Sequence, residues 1–445
     1  ARKNHEEIFE LAEDYKDFLS LCKTERLTHD EIVRRARREG FRSFKELREA
    51  SKLASGTKLY FENKNKSLVL MVLGENLEDG MQIVASHIDV PRLDLKQVPL
   101  YEEGNMAYLK THYYGGIKKY QWTCIPLALH GLIFTKDGTR VDISIGEDDE
   151  DPVFYINDLL IHLSADQMQK KLSDGVTGEQ LNLVVGHIPL EGQEKDAIKL
   201  GVLKLLNDKY GLVEEDFLVA ELEVVPAGRA RDVGFDRSMV AGHGHDDRAC
   251  AYSSMKAIFE VEKPKRTAVC LFADKEEIGS VGNTSMESLF FENLLSEIIY
   301  EQGGQASLGR RRALANSQVL SADVSACYDP NFPEVSEKLN TAYLGSGGTI
   351  NKYTGSRGKG GSNDANAEFL QRVREILNNN DIIWQTGELG KVDQGGGGTI
   401  AFILAKYGAE VVDFGIPVLS MHAPIELISK ADLFAAYQAY LAFMK

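Results

Sequence analysis

The stretch FADKEEIGSVGN, residues 272–283, sets two glutamates side by side where an apolar, strand-like run gives way to glycine. Adjacent carboxylates repel unless a cation stands between them, so Glu276 and Glu277 call for a positive partner. Neighbouring side chains on a strand point to opposite faces. The pair can serve one site only if the strand has ended, and Ile278-Gly279-Ser280 allows that. One glutamate can then bind a metal while its unligated neighbour holds a metal-bound water and takes its proton, the division of labour of a metallohydrolase.

Other candidate groups occupy similar positions. They are His87 and Asp89 in SHIDVP, Asp246 and Asp247 in GHDDRA, Asp323 in SADVS and His422 in SMHAP. Each follows an apolar strand-like run or opens a helix-like one, and the carboxyl edge of an open α/β sheet is where ligands bind. Singly, each has an ordinary reading, since such histidines are most often structural and loop acids are most often solvated or capping. Together, two imidazoles with three or four carboxylates match the mixed N/O ligation of zinc and suit two ions sharing one carboxylate. His87 and Asp89 share a face of an extended segment, so Asp89 can accept the second ring N–H of His87. The alternative for Asp89 is to open the turn before Pro91.

The elements that must position these groups are legible as a change of period along the chain. THDEIVRRARREGFRSFKELREA begins with a Thr/Asp capping signature and reads as helix. SLVLMVLG and MQIVASHID read as buried strands of a mixed or parallel sheet. From residue 96 to 237 short alternating pieces, NMAYLKTHYY and GLIFTKDGTRVDISIG among them, predict a β-rich unit with one acidic loop, GEDDEDP. Beyond it DRACAYSSMKAIFE, GTIAFILAKYG and KADLFAAYQAYLAFM read as helices, and TAVCLFAD, VLSAD and EVVDFGIPVLS as strands. The expected architecture is a discontinuous α/β domain, 1–95 plus 238–445, interrupted by the β-rich insertion 96–237.

Composition narrows the function classes. At 445 residues the chain is long for a single core, and 67 acidic against 51 basic side chains give a formal charge of −16. That balance repels phosphate backbones and anionic lipid, which argues against nucleic-acid binding. No apolar run is long enough to cross a bilayer. Cys22, Cys124, Cys250, Cys270 and Cys327 are scattered without a CxxC, so reduced thiols and a cytoplasmic location are expected.

Taken in order, SHIDVPRLDLK, GHDDRACAY, DKEEIGS, SADVS and SMHAP resemble the metal motifs of the aspartyl and vacuolar aminopeptidase family of dinuclear zinc exopeptidases, over nearly the whole chain. The resemblance implies a zinc-peptidase-type mixed sheet sandwiched by helices, with an inserted β domain used in assembly, and a dodecamer. It implies two divalent ions per chain, zinc with cobalt or manganese as alternatives. His87 and Asp323 would bind one ion, Glu277 and His422 the other, and Asp246 would bridge them. Glu276 would be the general base acting through a bridging water, and Asp89 the partner of His87, with Asp247 and Arg248 flanking the site. Lys352 in INKYTGSRGKGG and His162 in LLIHLSA match residues the family uses near substrate. The chain departs from the family where Ala326 and Asp329 in ACYDPN stand at histidine positions, and Asp329 would repel an acidic N-terminal residue of the substrate. Asp158 likewise stands at a histidine position, and GGGGT replaces a Cys-Gly-Ser-Thr pattern.

The function expected is therefore a metallo-aminopeptidase acting on short peptides with a free N-terminus. The same two-metal chemistry also fits a deacylase or carboxypeptidase. A third reading, a cage whose metals are structural, sits poorly with a ligand set that contains no cysteine.

Overall fold

The computed structural model describes residues 4–50 and 52–445. The chain divides into two units, residues 1–89, 230–421 and 426–445 in the first and 90–229 with 422–425 in the second.

The first unit is a three-layer α/β/α sandwich on a nine-stranded mixed sheet. Its strand order is Arg42–Ser43, Lys58–Asn63, Ser67–Val72, Thr267–Ala273, Met81–His87, Gln318–Ser321, Glu410–Gly415, Gly348–Asn351, Trp384–Thr386. The four central strands, from Thr267–Ala273 to Glu410–Gly415, run parallel. Every residue of Ser67–Val72, Met81–His87 and Thr267–Ala273 is buried, as continuous apolar runs covered on both faces must be. Alternate side chains feed two cores. Leu70, Val84 and Cys270 pack with Phe18, Tyr252 and Tyr440 from helices His5–Leu21, His245–Phe259 and Lys430–Met444. Val69, Ile83 and Leu271 pack with Phe291, Leu295 and Ile403 from helices Phe290–Glu301 and Ala401–Ala405.

Three local readings change. The second helix is Glu25–Arg38, capped by Thr24, whose side chain accepts from Leu27 N; Thr28 lies inside the helix and donates its hydroxyl to the Thr24 carbonyl. Gly40, at φ 84°, ends that segment, and Phe44–Glu49 forms a separate short helix. EVVDFGIPVLS is two strands, because a Cβ at Gly415 would lie 1.6 Å from the Asp323 carbonyl oxygen. The glycine lets the chain pass there and leave the large sheet for a five-stranded one, ordered Arg231–Val233, Met239–Gly242, Glu426–Ser429, Pro417–Leu419, Ser325–Ala326.

The second unit is a six-stranded antiparallel sheet in the order Arg140–Ile145, Leu127–Phe134, Glu221–Pro226, Arg92–Glu103, Met106–Tyr114, Asn182–Gly186. Its first boundary falls at residue 90 rather than after 95 because Arg92–Glu103 pairs within this sheet, and its second at 229 rather than 237 because Arg231–Val233 pairs in the five-stranded one. The stretch is not purely β. Ala197–Tyr210 is a helix that sets Ile198, Val202 and Leu206 on the apolar core, a period-four signal present in AIKLGVLKLL. Among the described residues, no helix is long and apolar enough to cross a membrane.

Candidate metal centre

Strand register brings the first groups together. Ala273 lies beside His87 and Ser321 beside Ala85, so the parallel strands end with His87 and, two residues past Ser321, Asp323 at a common carboxyl edge. Gly244, at φ 78°, turns the chain into the helix His245–Phe259, whose first turn carries Asp246 and Asp247 to the same edge. His87 Nε2 lies 3.1 Å from Asp246 Oδ1 and 3.9 Å from both Asp323 Oδ1 and Glu276 Oε2. The ligand atoms of His87, Asp246 and Asp323 all lie within 4.8 Å of one another, as do those of His87, Glu276 and Glu277.

The glutamates reach this point because the strand stops at Ala273. Lys275, at φ 67°, starts a one-turn 3-10 helix, Glu276–Ile278, which Gly279 ends at φ 96°. The buried Asp89 accepts the Glu276 N–H on Oδ1 at 3.1 Å and the Glu277 N–H on Oδ2 at 3.2 Å. His87 Nδ1 faces the Asp89 backbone carbonyl at 3.0 Å and Oδ1 at 3.3 Å. The HID spacing thus brings Asp89 to the ring, but the nearest acceptor is main chain, and the carboxylate also clamps the glutamate turn.

Two further groups support the edge. Asp247 accepts the His87 N–H at 3.3 Å, and the buried Glu426 accepts the Asp246 N–H at 3.0 Å. Sequence reasoning missed Glu426; its only signal was an acid placed inside a short strand shortly after His422. Buried Arg248 donates to the Lys23 and His243 carbonyls.

The electrostatics call for a cation. Burial and the charges of Asp246 and Asp247 push the Asp323 carboxyl well above its usual range, and burial with Asp246 does the same to Asp247. Burial opposes a charge on His87, but hydrogen bonds to Asp246 and Asp89 and the charges of Glu276 and Asp323 carry its pKa well above the usual value. One imidazole among so many acids is a hard, mixed N/O donor set that a divalent ion would neutralise.

His422, at φ 65°, belongs to the second unit, where its Nδ1 meets the Gly116 carbonyl at 2.8 Å. Lys352 is ion-paired to Asp364 at 2.5 Å, and Lys359 shares that carboxylate at 2.8 Å. His162 lies in the exposed turn Ile161–Leu163 of the second unit, and Asp329 accepts the Asn331 N–H at 2.8 Å.

Comparison with known proteins gives this arrangement a family. Residues 18–444 match the pattern of the aminopeptidase I zinc metalloproteases, M18. The chain is 52% identical over 445 residues to a probable M18 family aminopeptidase 1 from Clostridium acetobutylicum, covering 99% of this chain and 96% of that one. The crystal structure of an M18 aminopeptidase from Thermotoga maritima superposes with a TM-score of 0.97 at 45% identity, covering 99% of this chain and 97% of the other. The S. cerevisiae mApe1 dodecamer shares the fold, with a TM-score of 0.78 at 21% identity and 97% and 95% coverage. The chain belongs to the M18 family of zinc metalloprotease aminopeptidases.

Proposed function

We propose that this aminopeptidase removes the N-terminal residue of short peptides, with Glu276 as general base and His87, Asp246, Glu277, Asp323 and His422 as ligands of two divalent ions. The metal would be zinc, with cobalt or manganese as alternatives, and Asp246 would be among the residues that hold it. Bound there, such ions polarise a scissile carbonyl, acidify a water and balance developing oxyanion charge. The observation that carries the reading is the glutamate turn. Two adjacent carboxylates sit at the strand edge beside His87, with their backbone N–H groups held by Asp89.

In this reading Glu276 takes the proton of the attacking water and returns it to the leaving amine. Asp89 orients His87 through its carbonyl and holds Glu276 through its carboxylate. A second glutamate with no ligand role has no purpose in a purely structural metal site, which argues against a cage with structural ions. Lys352 and His162 are proposed substrate contacts. Asp329 and Ala326, in place of histidines, favour non-acidic N-terminal residues. A homododecamer is proposed by analogy with the S. cerevisiae assembly, with the unit 90–229 serving assembly and substrate access. The exposed Leu160, Ile161, Leu163 and Met168 fit that role. The five free cysteines suit a cytoplasmic setting.

The test uses protein loaded with zinc, cobalt or manganese and short peptides beginning with Asp, Glu, Leu, Met or Lys, each free and N-acetylated. Cleavage of the free peptides alone is expected, with Leu or Met ahead of Asp. Hydrolysis of the acetylated series would replace the aminopeptidase reading with a deacylase.

A further inference from the structure

The loop that carries the two glutamates is closed by side chains of its own. It leaves the central strand at Asp274 and is tied back at Thr284. Thr284 Oγ1 donates to Asp274 Oδ2 at 2.5 Å, and Lys275 Nζ donates to both, at 3.1 Å to Asp274 Oδ2 and 2.9 Å to Thr284 Oγ1. Asp274 and Thr284 are buried, and Asp274 also faces the charges of the buried Glu25 and Asp89. Lys66 pairs with Glu25 at 3.3 Å, and Lys275 brings a second ammonium to this cluster from the loop itself.

The backbone shows what the lysine does locally. Lys275 adopts φ 67°, a conformation ordinarily left to Gly or Asn. Its carbonyl accepts the Ser280 N–H at 2.7 Å, closing the turn that displays Glu276 and Glu277. Its stem runs along Gly282, where a Cβ would lie 3.1 Å from Lys275 Cδ and 3.3 Å from Cε. A long, cationic residue in a left-handed position, threaded past a glycine onto two buried oxygens, is over-determined by its surroundings.

Building on the proposed role of Glu276, we propose that Lys275 is a positioning residue, whose ammonium staples the two ends of this loop and thereby holds Glu276 at its working place. Asp89 fixes the turn from the neighbouring strand, and Lys275 fixes it from within. A general base displaced by a fraction of an ångström loses rate without losing substrate affinity, so the staple acts on kcat.

The variant Lys275→Met keeps the stem along Gly282 and removes the ammonium. On a free-N-terminus peptide with the metal-loaded enzyme, kcat is expected to fall about 10- to 100-fold. KM should move less than about threefold, the metal content per chain should stay at the wild-type value, and Lys275→Arg should recover most of the loss. If Lys275→Met does not fold, Thr284→Val removes the same bridge and should give the same split between kcat and KM. A kcat within about fivefold of wild type overturns the inference, as does a loss of rate that comes with loss of metal or is carried by KM. Glu276→Gln separates the two levels. If that enzyme still turns over, the base assignment fails and this inference with it; if it is inactive while Lys275→Met is wild-type-like, this inference alone fails.

Discussion

The two large sheets solve different problems. In the nine-stranded sheet the central strands are parallel and buried on both faces, so charged groups collect where they end, while Asp413 is an acid held mid-strand. In the six-stranded sheet of the second unit, Met106–Tyr114 alternates, with Ala107, Leu109 and Thr111 turned inward and their neighbours outward. Polar and charged side chains can then be carried at any second position. A fully buried sheet concentrates chemistry at an edge, whereas a half-covered one distributes polarity over a face.

The largest expected effect tests the edge. Glu276→Gln should keep its bound metal and lose at least about a thousandfold in kcat, roughly 4 kcal/mol of barrier. A kcat within tenfold of wild type, measured at equal metal content, would remove Glu276 as the base.

Next comes the interior that supports the edge. Leu271, fully buried in the central strand, should cost about 2–5 kcal/mol when changed to Ala, read from denaturant unfolding. A cost below about 1 kcal/mol would mean that the two-sided burial contributes less than its packing indicates.

A pH dependence probes Asp413, which among the described residues is the one acid buried mid-strand in the large sheet. Burial lifts the Asp413 carboxyl to about 6, although Thr399 and Ser321 hydroxyls oppose the shift. Because the folded pKa lies above the unfolded one, the folded chain keeps a proton that the unfolded chain has released. Stability therefore falls as pH rises from about 4 to 6, by about 3 kcal/mol, and levels off above. Asp413→Asn still accepts from Thr399 and should flatten that slope in a melting series across pH. An unchanged slope would assign it to other groups.

The smallest effect belongs to the second unit. Leu163 is 68% exposed, so Leu163→Ser should change unfolding free energy by no more than about 0.5 kcal/mol. A cost comparable to that of Leu271→Ala would show that the exposed turn is covered in the folded protein.

Much of this was readable along the chain. SLVLMVLG, MQIVASHID and TAVCLFAD are strands because unbroken apolar runs can satisfy only a sheet covered on both sides. The glutamate pair announced a turn because two adjacent carboxylates cannot share one site on a strand. The helix Ala197–Tyr210 is masked in the sequence by the turn-rich pieces around it, which suggest strands throughout.

Periodicity and residue type, which act over a few neighbours, thus determined the elements, and the chemistry at their ends followed from which side chains tolerate no burial. Tertiary structure alone decided that Ala273 lies beside His87 and that Ser321 lies beside Ala85, because strand register is set by pairing between segments far apart in the chain. It also decided that the Asp89 carboxylate grips the glutamate turn, and that Glu426 holds Asp246. Such bonds join residues whose separation along the chain carries no signal, since a carboxylate's partner is whichever donor the fold brings within about 3 Å.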